Sequence, residues 1–136
     1  MSKLVSFSLC GMDFEYDEEK NQKNILKHGI PFKIAARVFF DYERIELYDE
    51  SHSEDEERYD TIGDTSAGVI AENRNSVVGI FDQSIGMVND ILFVVYTERK
   101  RMNSNGKLTD VTRIISARLA TSFERGLYYG KHGYYE

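Results

Sequence analysis

The loop between two β-rich runs places the strongest constraint on how this chain can fold. Residues 92–99 and 111–117 are rich in valine, isoleucine, threonine and aromatic residues, a composition typical of strands. The loop between them contains Asn105 followed by Gly106. This dipeptide strongly favours a hairpin because both residues tolerate positive φ angles. The pattern therefore predicts two adjacent antiparallel strands.

A helix is predicted immediately after Asp17. Its side chain is a good N-cap, and the acidic residues that follow suit the first turn of a helix. The helix is expected to end at Lys27 or His28, where positive charge is favoured. Gly29 supplies the left-handed position after the helix, and Pro31 stops its continuation.

Two more helices and three more strands complete the predicted fold. A second helix is predicted over residues 32–40, with Pro31 at its first position, because apolar residues recur there at helical spacing. A third helix is predicted over residues 119–129. The segments with strand-like composition are 12–17, 44–48 and 58–62. Helices grouped before and after sequential strands indicate an α+β sandwich.

Composition excludes several classes of protein. The chain has 136 residues, a net charge of −6 and a single cysteine, Cys10. The acidic balance argues against a protein that coats nucleic acid with its whole surface, and the lone cysteine fits a reducing cytosol. No apolar run is long enough for a membrane span, and residues 1–10 do not form a signal peptide. We therefore expect a cytoplasmic protein that does not bind membranes.

The charge is distributed unevenly along the chain. Residues 91–136 hold 4 acidic and 8 basic side chains, a local net charge of +4. The acidic residues gather in the first 60 residues and in the segment that follows. Such blocks mark either an interaction surface or two solvated faces of opposite sign.

We expect residues 1–136 to form a single domain with two additions. Residues 1–11 are an N-terminal extension. Residues 64–85 resemble an insertion, because the dipeptide Ile-Gly occurs at 62–63 and again at 85–86. Loops tolerate such insertions at little cost, so we expect a loop or an extra hairpin there.

The sequence carries no signature of a common cofactor or metal site. It contains no glycine-rich phosphate loop, no Cys/His metal pattern and no GxSxG motif. The acidic run 54–57 is a weak candidate for a divalent cation, and a solvated loop is the commoner explanation. We expect neither a cofactor nor a bound metal.

Two arginines of the last predicted strand have competing explanations. Arg113 and Arg118 are five positions apart, so in a regular strand they point to opposite faces of the sheet. An Arg118 at the start of the final helix would need an acidic partner, for which Glu98 and Glu124 are candidates. A structural ion pair therefore competes with a functional role for Arg118.

The order of several motifs resembles the BrnT family, the toxin half of bacterial toxin–antitoxin pairs. The motifs are FEYDEEKNQKNILKHGIPF, Val38-Phe39-x-Asp41, His52-Ser53-x-x-x-Glu57-Arg58-Tyr59-x-x-Ile62-Gly63, LFVVYTER and RIISARLAT-x-x-E. The resemblance runs from Met12 to about Tyr128, interrupted by residues 64–85. Two departures are that residues 1–11 precede the usual beginning, which makes Met12 a candidate start, and that Pro31 replaces a usual serine cap.

The resemblance implies a fold and a set of partners. The expected fold is RelE-like, with two N-terminal helices packed on a four- to five-stranded antiparallel sheet and a C-terminal helix. The expected activity is endoribonuclease cleavage of RNA, which arrests growth. The expected partner is a BrnA-like antitoxin, and the toxin would contact operator DNA only through that antitoxin.

Metal-free RNA cleavage needs a base, an acid and cations around the reacting phosphate. The neighbouring 2′-hydroxyl is the nucleophile, and arginine suits the phosphate because its planar fork matches two oxygens. The candidates are Arg99 and Arg118 for the phosphate, Lys27 as a secondary contact, and His28 or Glu57 as base or acid; Arg58 is favoured in the groove if Glu57 pairs elsewhere, and Tyr128 is a candidate to stack on a base or donate a proton. A purely structural role for His28 is to cap its helix.

Two other functions remain open from the sequence. One is a catalytically inactive module that only binds the antitoxin and takes part in promoter autoregulation. The other is an acidic mimic of nucleic acid that occupies a partner's basic groove. The mimic requires acidic side chains along one face, whereas the acids of this chain lie mostly in a helix start and a loop.

Overall fold

The computed structural model describes residues 3–50, 56–66 and 90–131 of the chain. The strands are β1 Leu4–Leu9, β2 Met12–Asp17, β3 Ile45–Tyr48, β4 Tyr59–Asp64, β5 Ile91–Met102 and β6 Leu108–Leu119. The helices are α1 Glu18–His28, α2 Phe32–Ala35, a 3-10 helix over Ala36–Phe40, and α3 Ser122–Lys131. None of the helices in the described ranges is long and apolar enough to cross a membrane.

The strands of the described residues form one sheet in the order β1-β2-β6-β5-β4-β3. The predicted hairpin is confirmed: β5 and β6 pair antiparallel over almost their whole length, and Gly106 has a φ of 77° in the connecting loop. The predicted four- to five-stranded antiparallel sheet is wrong in two respects. The sheet formed by the described residues has six strands, and it is mixed because β2 runs parallel to β6.

The sixth strand, β1, lies within the predicted N-terminal extension, residues 1–11. It pairs antiparallel with β2 through a two-residue turn, in which Cys10 and Gly11 have φ angles of 49° and 80°. Positive φ at both central residues suits the twist of a hairpin. Phe7 stacks on Phe14 with 5.2 Å between ring centroids, so the extension adds to the core.

The first two helical segments pack on one face of the sheet, called the inner face here. Helix α1 has the predicted cap at Asp17, whose side chain accepts from the Lys20 backbone N–H, and Gly29 ends it with a φ of 73°. The second helix differs from its prediction, because only four residues are α-helical before the chain tightens into a 3-10 helix. Pro31 is the extended cap before the helix and not its first residue. The predicted apolar stripe is buried in the core nonetheless (Phe32, Ala35, Ala36 and Phe39).

Two asparagines hold α1 in place. Strand β2 pairs with β6 only as far as Glu15, and α1 continues in the same direction beside the open edge of β6. Asn24 donates to the carbonyls of Ile30 and Ala117 and accepts from the Ala117 N–H, at 2.8, 2.8 and 3.2 Å. Asn21 accepts from the Phe32 N–H at 2.8 Å and so caps the next helix from a distance. The end of α1 is thereby fixed beside the end of β6.

A β-bulge at Ile115 changes which residues of β6 share a face. Val95 pairs with Ser116, but Tyr96 pairs with Ile114, so Ile115 is an extra residue on β6. Ile114 and Ala117 both reach the inner core although they are three positions apart. The expectation that Arg113 and Arg118 face opposite sides is therefore wrong. Both lie on the outer face, opposite Thr97 and Phe93 respectively.

Helix α3 packs against one end of the outer face. Tyr128 and Ala120 join Ile62 and Ile91 in a second, smaller core. The helix begins after Thr121, later than predicted, because β6 extends to Leu119 and so includes Arg118. Thr121 and Glu124 form a capping box, in which each side chain accepts from the backbone N–H of the other at 3.2 and 2.9 Å.

Some of the predicted features lie outside the described residues. They are most of the 64–85 insertion, the first half of the acidic run 54–57 with residues 51–53 before it, and the C-terminal tail after Lys131.

Replacing Asn24 tests the attachment of α1 to the sheet. Asn24→Ala leaves three buried backbone groups without their partner, so we expect the free energy of unfolding to fall by about 2–4 kcal/mol. Gln22→Ala is the matched control, because Gln22 is exposed on the same helix and bonds only to Glu18 there. Urea denaturation of both variants measures the difference, and equal stabilities would contradict the role assigned to Asn24.

Candidate functional site

The outer face of the sheet carries an open groove of about 400 Å³. Its middle row is formed by Asp60, Val95 and Ser116, which lie side by side on β4, β5 and β6. The next row towards α3 contains Phe93 and Arg118. The bulged Ile115 and the side chains of Asp49 and Arg58 complete the lining. The groove thus has an apolar floor and a charged rim.

Arg118 lies beside this groove, where it stacks on the lining residue Phe93. Its guanidinium lies 4.2 Å from the centroid of the Phe93 ring, and two of its nitrogens donate to the Glu124 carboxylate at 2.7 and 2.9 Å. The hydrogen bonds from Arg118 lower the pKa of Glu124, so the pair stays charged at neutral pH. The ion-pair interpretation of Arg118 is confirmed, with Glu124 and not Glu98 as the partner. Its side chain remains 35 % exposed.

The side chains of Glu57 and Arg58 point in different directions, as is expected for neighbouring residues just before a strand. Glu57 accepts a hydrogen bond from the Tyr59 hydroxyl at 3.0 Å, while Arg58 lines the groove. The Glu57 hydrogen bond is the main cause that raises the pKa of Tyr59. Of the two, Arg58 is therefore the residue that lines the groove.

Arg99 lies too far along the sheet to share one phosphate with Arg118. Phe93 on β5 pairs with Arg118, and Arg99 comes six residues after Phe93 on the same strand. Six residues of a strand span about 20 Å. Its guanidinium donates to the Glu56 carboxylate at 2.9 Å. The two arginines that were predicted to act together thus occupy opposite ends of the outer face.

Lys27 and His28 lie in the last turn of α1, at the same end of the sheet as Arg118. His28 follows Asn24 by four residues, so both lie on the same side of the helix, next to β6. Lys27 is exposed and His28 is half-buried. Both also lie where positive charge interacts favourably with the helix dipole.

Tyr128 is buried, with only 7 % of its surface exposed. Its hydroxyl donates to the Asp41 carboxylate at 2.5 Å, and the same oxygen of Asp41 accepts from the Asp64 N–H. Burial, followed by this hydrogen bond, raises the pKa of Tyr128 well above its usual range. In this arrangement the ring ties α3 to the end of the 3-10 helix and does not face the groove.

A second charged cluster lies at the far end of the outer face, and sequence reasoning missed it. The Glu15 carboxylate is fully buried and accepts from Arg101 at 2.6 and 2.8 Å and from Arg113 at 2.7 Å. Burial acts to raise the pKa of Glu15, but the two guanidinium groups outweigh it and the pKa is lowered. The one available signal was that Glu15 alternates with Phe14 and Tyr16 in a strand whose inner face is apolar.

Sequence reasoning also missed three residues that line the groove: Asp60, Ser116 and Ile115. Asp60 and Ser116 follow the alternation of their strands, but their proximity depends on the register of three strands. Ile115 reaches the groove only because of the bulge. Within residues 3–50, 56–66 and 90–131, no three His, Cys, Asp or Glu side chains are placed to hold a metal ion.

Comparison with known protein families assigns the N-terminal part of the chain. Residues 16–72 match the family of ribonuclease toxins, BrnT, of type II toxin–antitoxin systems. The resemblance read from the sequence is thus confirmed over these residues. The BrnT match includes Lys27, His28, Glu57 and Arg58, and it ends before Arg99, Arg118 and Tyr128. No protein of curated function matches the chain.

The Glu15 cluster predicts a pH-dependent contribution to stability. The pKa of the Glu15 carboxyl is lower in the folded protein than its ordinary value of 4.5. Its stabilisation is therefore fully present above about pH 4.5 and is lost as the pH falls through the folded-state pKa. We expect Glu15→Gln to lower the free energy of unfolding by about 2 kcal/mol at pH 7, and by less below pH 4.

Denaturation of wild type and variant between pH 3 and pH 7 measures this difference. Glu19→Gln is the control, because Glu19 is exposed and pairs only with Lys23 on its own helix. A difference that does not change with pH would contradict an ionised Glu15 in the folded protein.

Proposed function

We propose that the protein is the toxin of a type II toxin–antitoxin pair, a metal-independent endoribonuclease that acts at the outer-face groove. The observation that carries this proposal is an open groove with an apolar floor that Arg58 lines, beside which Arg118 stacks on the lining residue Phe93. The family match supplies the substrate class, since it names ribonuclease toxins. In this proposal residues 1–136 form a single BrnT-like domain of RelE-like type, acting in the cytoplasm.

Arg118 is proposed to stabilise the charged phosphorane. Its planar group is already oriented by Phe93 and Glu124, so little side-chain entropy is lost when a phosphate binds. Arg58, just before β4, lines the groove and is proposed to contact a neighbouring phosphate. Arg99 is assigned to a phosphate further along the strand, because of its distance from Arg118.

His28 is proposed as the general base or acid, and Lys27 as a secondary phosphate contact. The two ring nitrogens of an imidazole can accept and donate a proton, which suits transfer to and from the 2′- and 5′-oxygens. The other candidates, Glu57 and Tyr128, have side chains engaged by Tyr59 and Asp41. We assign to them the support of the site rather than contact with RNA.

A BrnA-like antitoxin is proposed as the neutralising partner, and operator DNA would be contacted only through it. The net charge of −6 disfavours direct binding of this chain to DNA. An antitoxin that covers the groove would block RNA and bury Arg58 and Arg118 together.

Cleavage of a defined RNA in the presence of EDTA tests the enzymatic proposal. Purified protein should cut the RNA and leave a 2′,3′-cyclic phosphate, because the 2′-oxygen attacks the phosphorus and the 5′-oxygen leaves. A 2′-deoxy substitution at the cut position should abolish the reaction. Intact RNA, or cleavage that needs a divalent cation, would contradict the proposal.

Arg118→Ala should lower kcat at least 100-fold, since it removes a group that stabilises charge in the transition state. Lys100→Ala is the matched control: Lys100 is a base on the same strand pair, but it points to the inner side and pairs with Asp110. We expect the control to retain its activity. Equal losses in the two variants would show that general positive charge, and not the position of Arg118, matters.

His28→Ala separates catalysis from helix capping. A general acid or base predicts a kcat reduced about 100-fold and an altered pH profile, with little change in thermal stability. A capping role alone predicts a lower melting temperature and an unchanged kcat. The second result would remove His28 from the proposed mechanism.

One observation favours a second candidate, an inactive module that only binds the antitoxin. Arg99, Arg101, Arg113 and Arg118 each form an ion pair with a carboxylate, which neutralises much of the positive charge of the outer face. Such a module would bind its antitoxin with normal affinity, and it would leave every RNA intact in the cleavage experiment.

A further inference from the structure

The two edges of the sheet differ in how well they resist pairing with a further strand. At one edge, β3 has only four residues, contains Glu46 and follows Arg44 directly. Short edge strands and charged side chains are common devices that prevent such pairing. At the other edge, β1 has six residues and contains no charged residue, no proline and no glycine. Of these two edges, β1 is therefore the one that is open to another strand.

Three alternate residues of β1 present their backbone groups to the open edge. The Lys3 carbonyl accepts from the Glu18 N–H at 2.8 Å, so the backbone of Lys3 bonds on the β2 side. Because the direction of bonding alternates along an antiparallel pair, Leu4, Ser6 and Ser8 point their N–H and C=O groups the other way. Within the described ranges, no strand pairs with β1 on that side. These groups form a template on which a second strand can add.

The side chains of β1 set a further requirement for that strand. Val5, Phe7 and Leu9 are half-buried and pack against the core on the inner face. The even-numbered residues of β1 are exposed on the outer face. A strand that fits this edge must therefore continue the apolar layer on the inner face.

A second copy of β1 meets these requirements. In an antiparallel pair centred on Ser6, the two Ser6 residues lie opposite each other, and Leu4 lies opposite Ser8 of the partner subunit. All three open residues are then hydrogen-bonded, and the exposed Leu4 side chain gains a neighbour. On the inner face, Val5 lies opposite Phe7 of the partner subunit, and a β-branched residue beside an aromatic one is a favourable cross-strand pair. Because β1 contains no charged side chain, the pairing opposes no like charges within it.

The alternation of faces and the position of the turn select this register. A shift of the pairing by one residue would place the apolar side chains of one copy on the outer face. A shift by two residues leaves Leu4 opposite Cys10, which lies in the turn, or Ser8 opposite residue 2, which precedes the strand. The register centred on Ser6 is the one that pairs all three open residues.

We propose that two copies of this chain associate through β1, antiparallel about a two-fold axis at Ser6, so that their two sheets become one continuous sheet. An isologous contact of this kind uses the same residues on both subunits and closes at a dimer. It lies away from the candidate site, because no residue of β1 lines the outer-face groove. The inference goes beyond the proposed function, since β1 precedes the residues that match the BrnT family.

Opposed charges at the axis test the pairing. Sedimentation of the full chain at micromolar to millimolar concentrations should show a monomer–dimer equilibrium. Ser6→Lys and Ser6→Asp each place two like charges opposite each other, so each should raise the dissociation constant about fivefold. An equimolar mixture of the two variants opposes unlike charges and should restore association. Misfolding of either variant would not be rescued by mixing.

Ser122→Lys is the matched control, because Ser122 is exposed at the start of α3, which packs against Ile62 and Ile91. It should dimerise as the wild type does. A chain that stays monomeric over the whole range, or a mixture that associates no better than either variant alone, would overturn the proposal. A monomer whose β1 amides become protected only when an antitoxin is added would assign this edge to that partner and would also overturn it.

Disulfide crosslinking tests the register. Cys10 is the one cysteine of the chain, so Cys10→Ser removes the background. In that variant, Ser6→Cys should form a disulfide between subunits on mild oxidation, because opposite Cα atoms of a hydrogen-bonded pair lie about 5.5 Å apart. Ser8→Cys should not, because the two Ser8 residues are offset along the strands by about 13 Å. Equal crosslinking at the two positions would contradict the register centred on Ser6.

Discussion

The pairing of β5 with β6 is the constraint on which the rest of the structure depends. These two strands contribute buried residues to the core on the inner face and carry Arg99, Arg101, Arg113 and Arg118 on the outer face. The bulge at Ile115 shifts the alternation of β6 by one residue within this pairing. Without it, Arg113 and Arg118 would lie on opposite faces. The single extra residue therefore creates both the outer row of arginines and the apolar floor between them.

The outer face is organised by ion pairs that fix arginine side chains at its two ends. Glu124 holds Arg118 and also caps α3, so the orientation of one guanidinium is linked to the start of a helix. Glu15 holds Arg101 and Arg113 at the other end. Such pairs contribute little net stability when they are exposed, but they limit the conformations of a long side chain. A preoriented arginine suits phosphate recognition better than a mobile one does.

Features encoded by neighbouring residues were predictable from the sequence. The Asp17 cap, the left-handed Gly29 and the Asn105–Gly106 hairpin each depend on the conformation of two or three residues. Features that depend on residues far apart in the chain were not. Asn24 gives no local sign that it binds Ala117, 93 positions away, and the choice of Glu124 over Glu98 for Arg118 required the position of α3. The same holds for the candidate site. Arg58 and Arg118 could be named from the sequence one by one. The positions of Asp60 and Ile115 depended on strand register and on the bulge.

The central claim is that RNA binds at the outer-face groove, and an NMR titration tests it most directly. A short RNA with a 2′-deoxy nucleotide at the scissile position can bind without being cut, and backbone shifts report which face it contacts. The account predicts shifts at Arg58, Asp60, Val95, Ser116 and Arg118, with little change in α2 and the 3-10 helix on the inner face. Shifts confined to the inner face, with none in the groove, would contradict it.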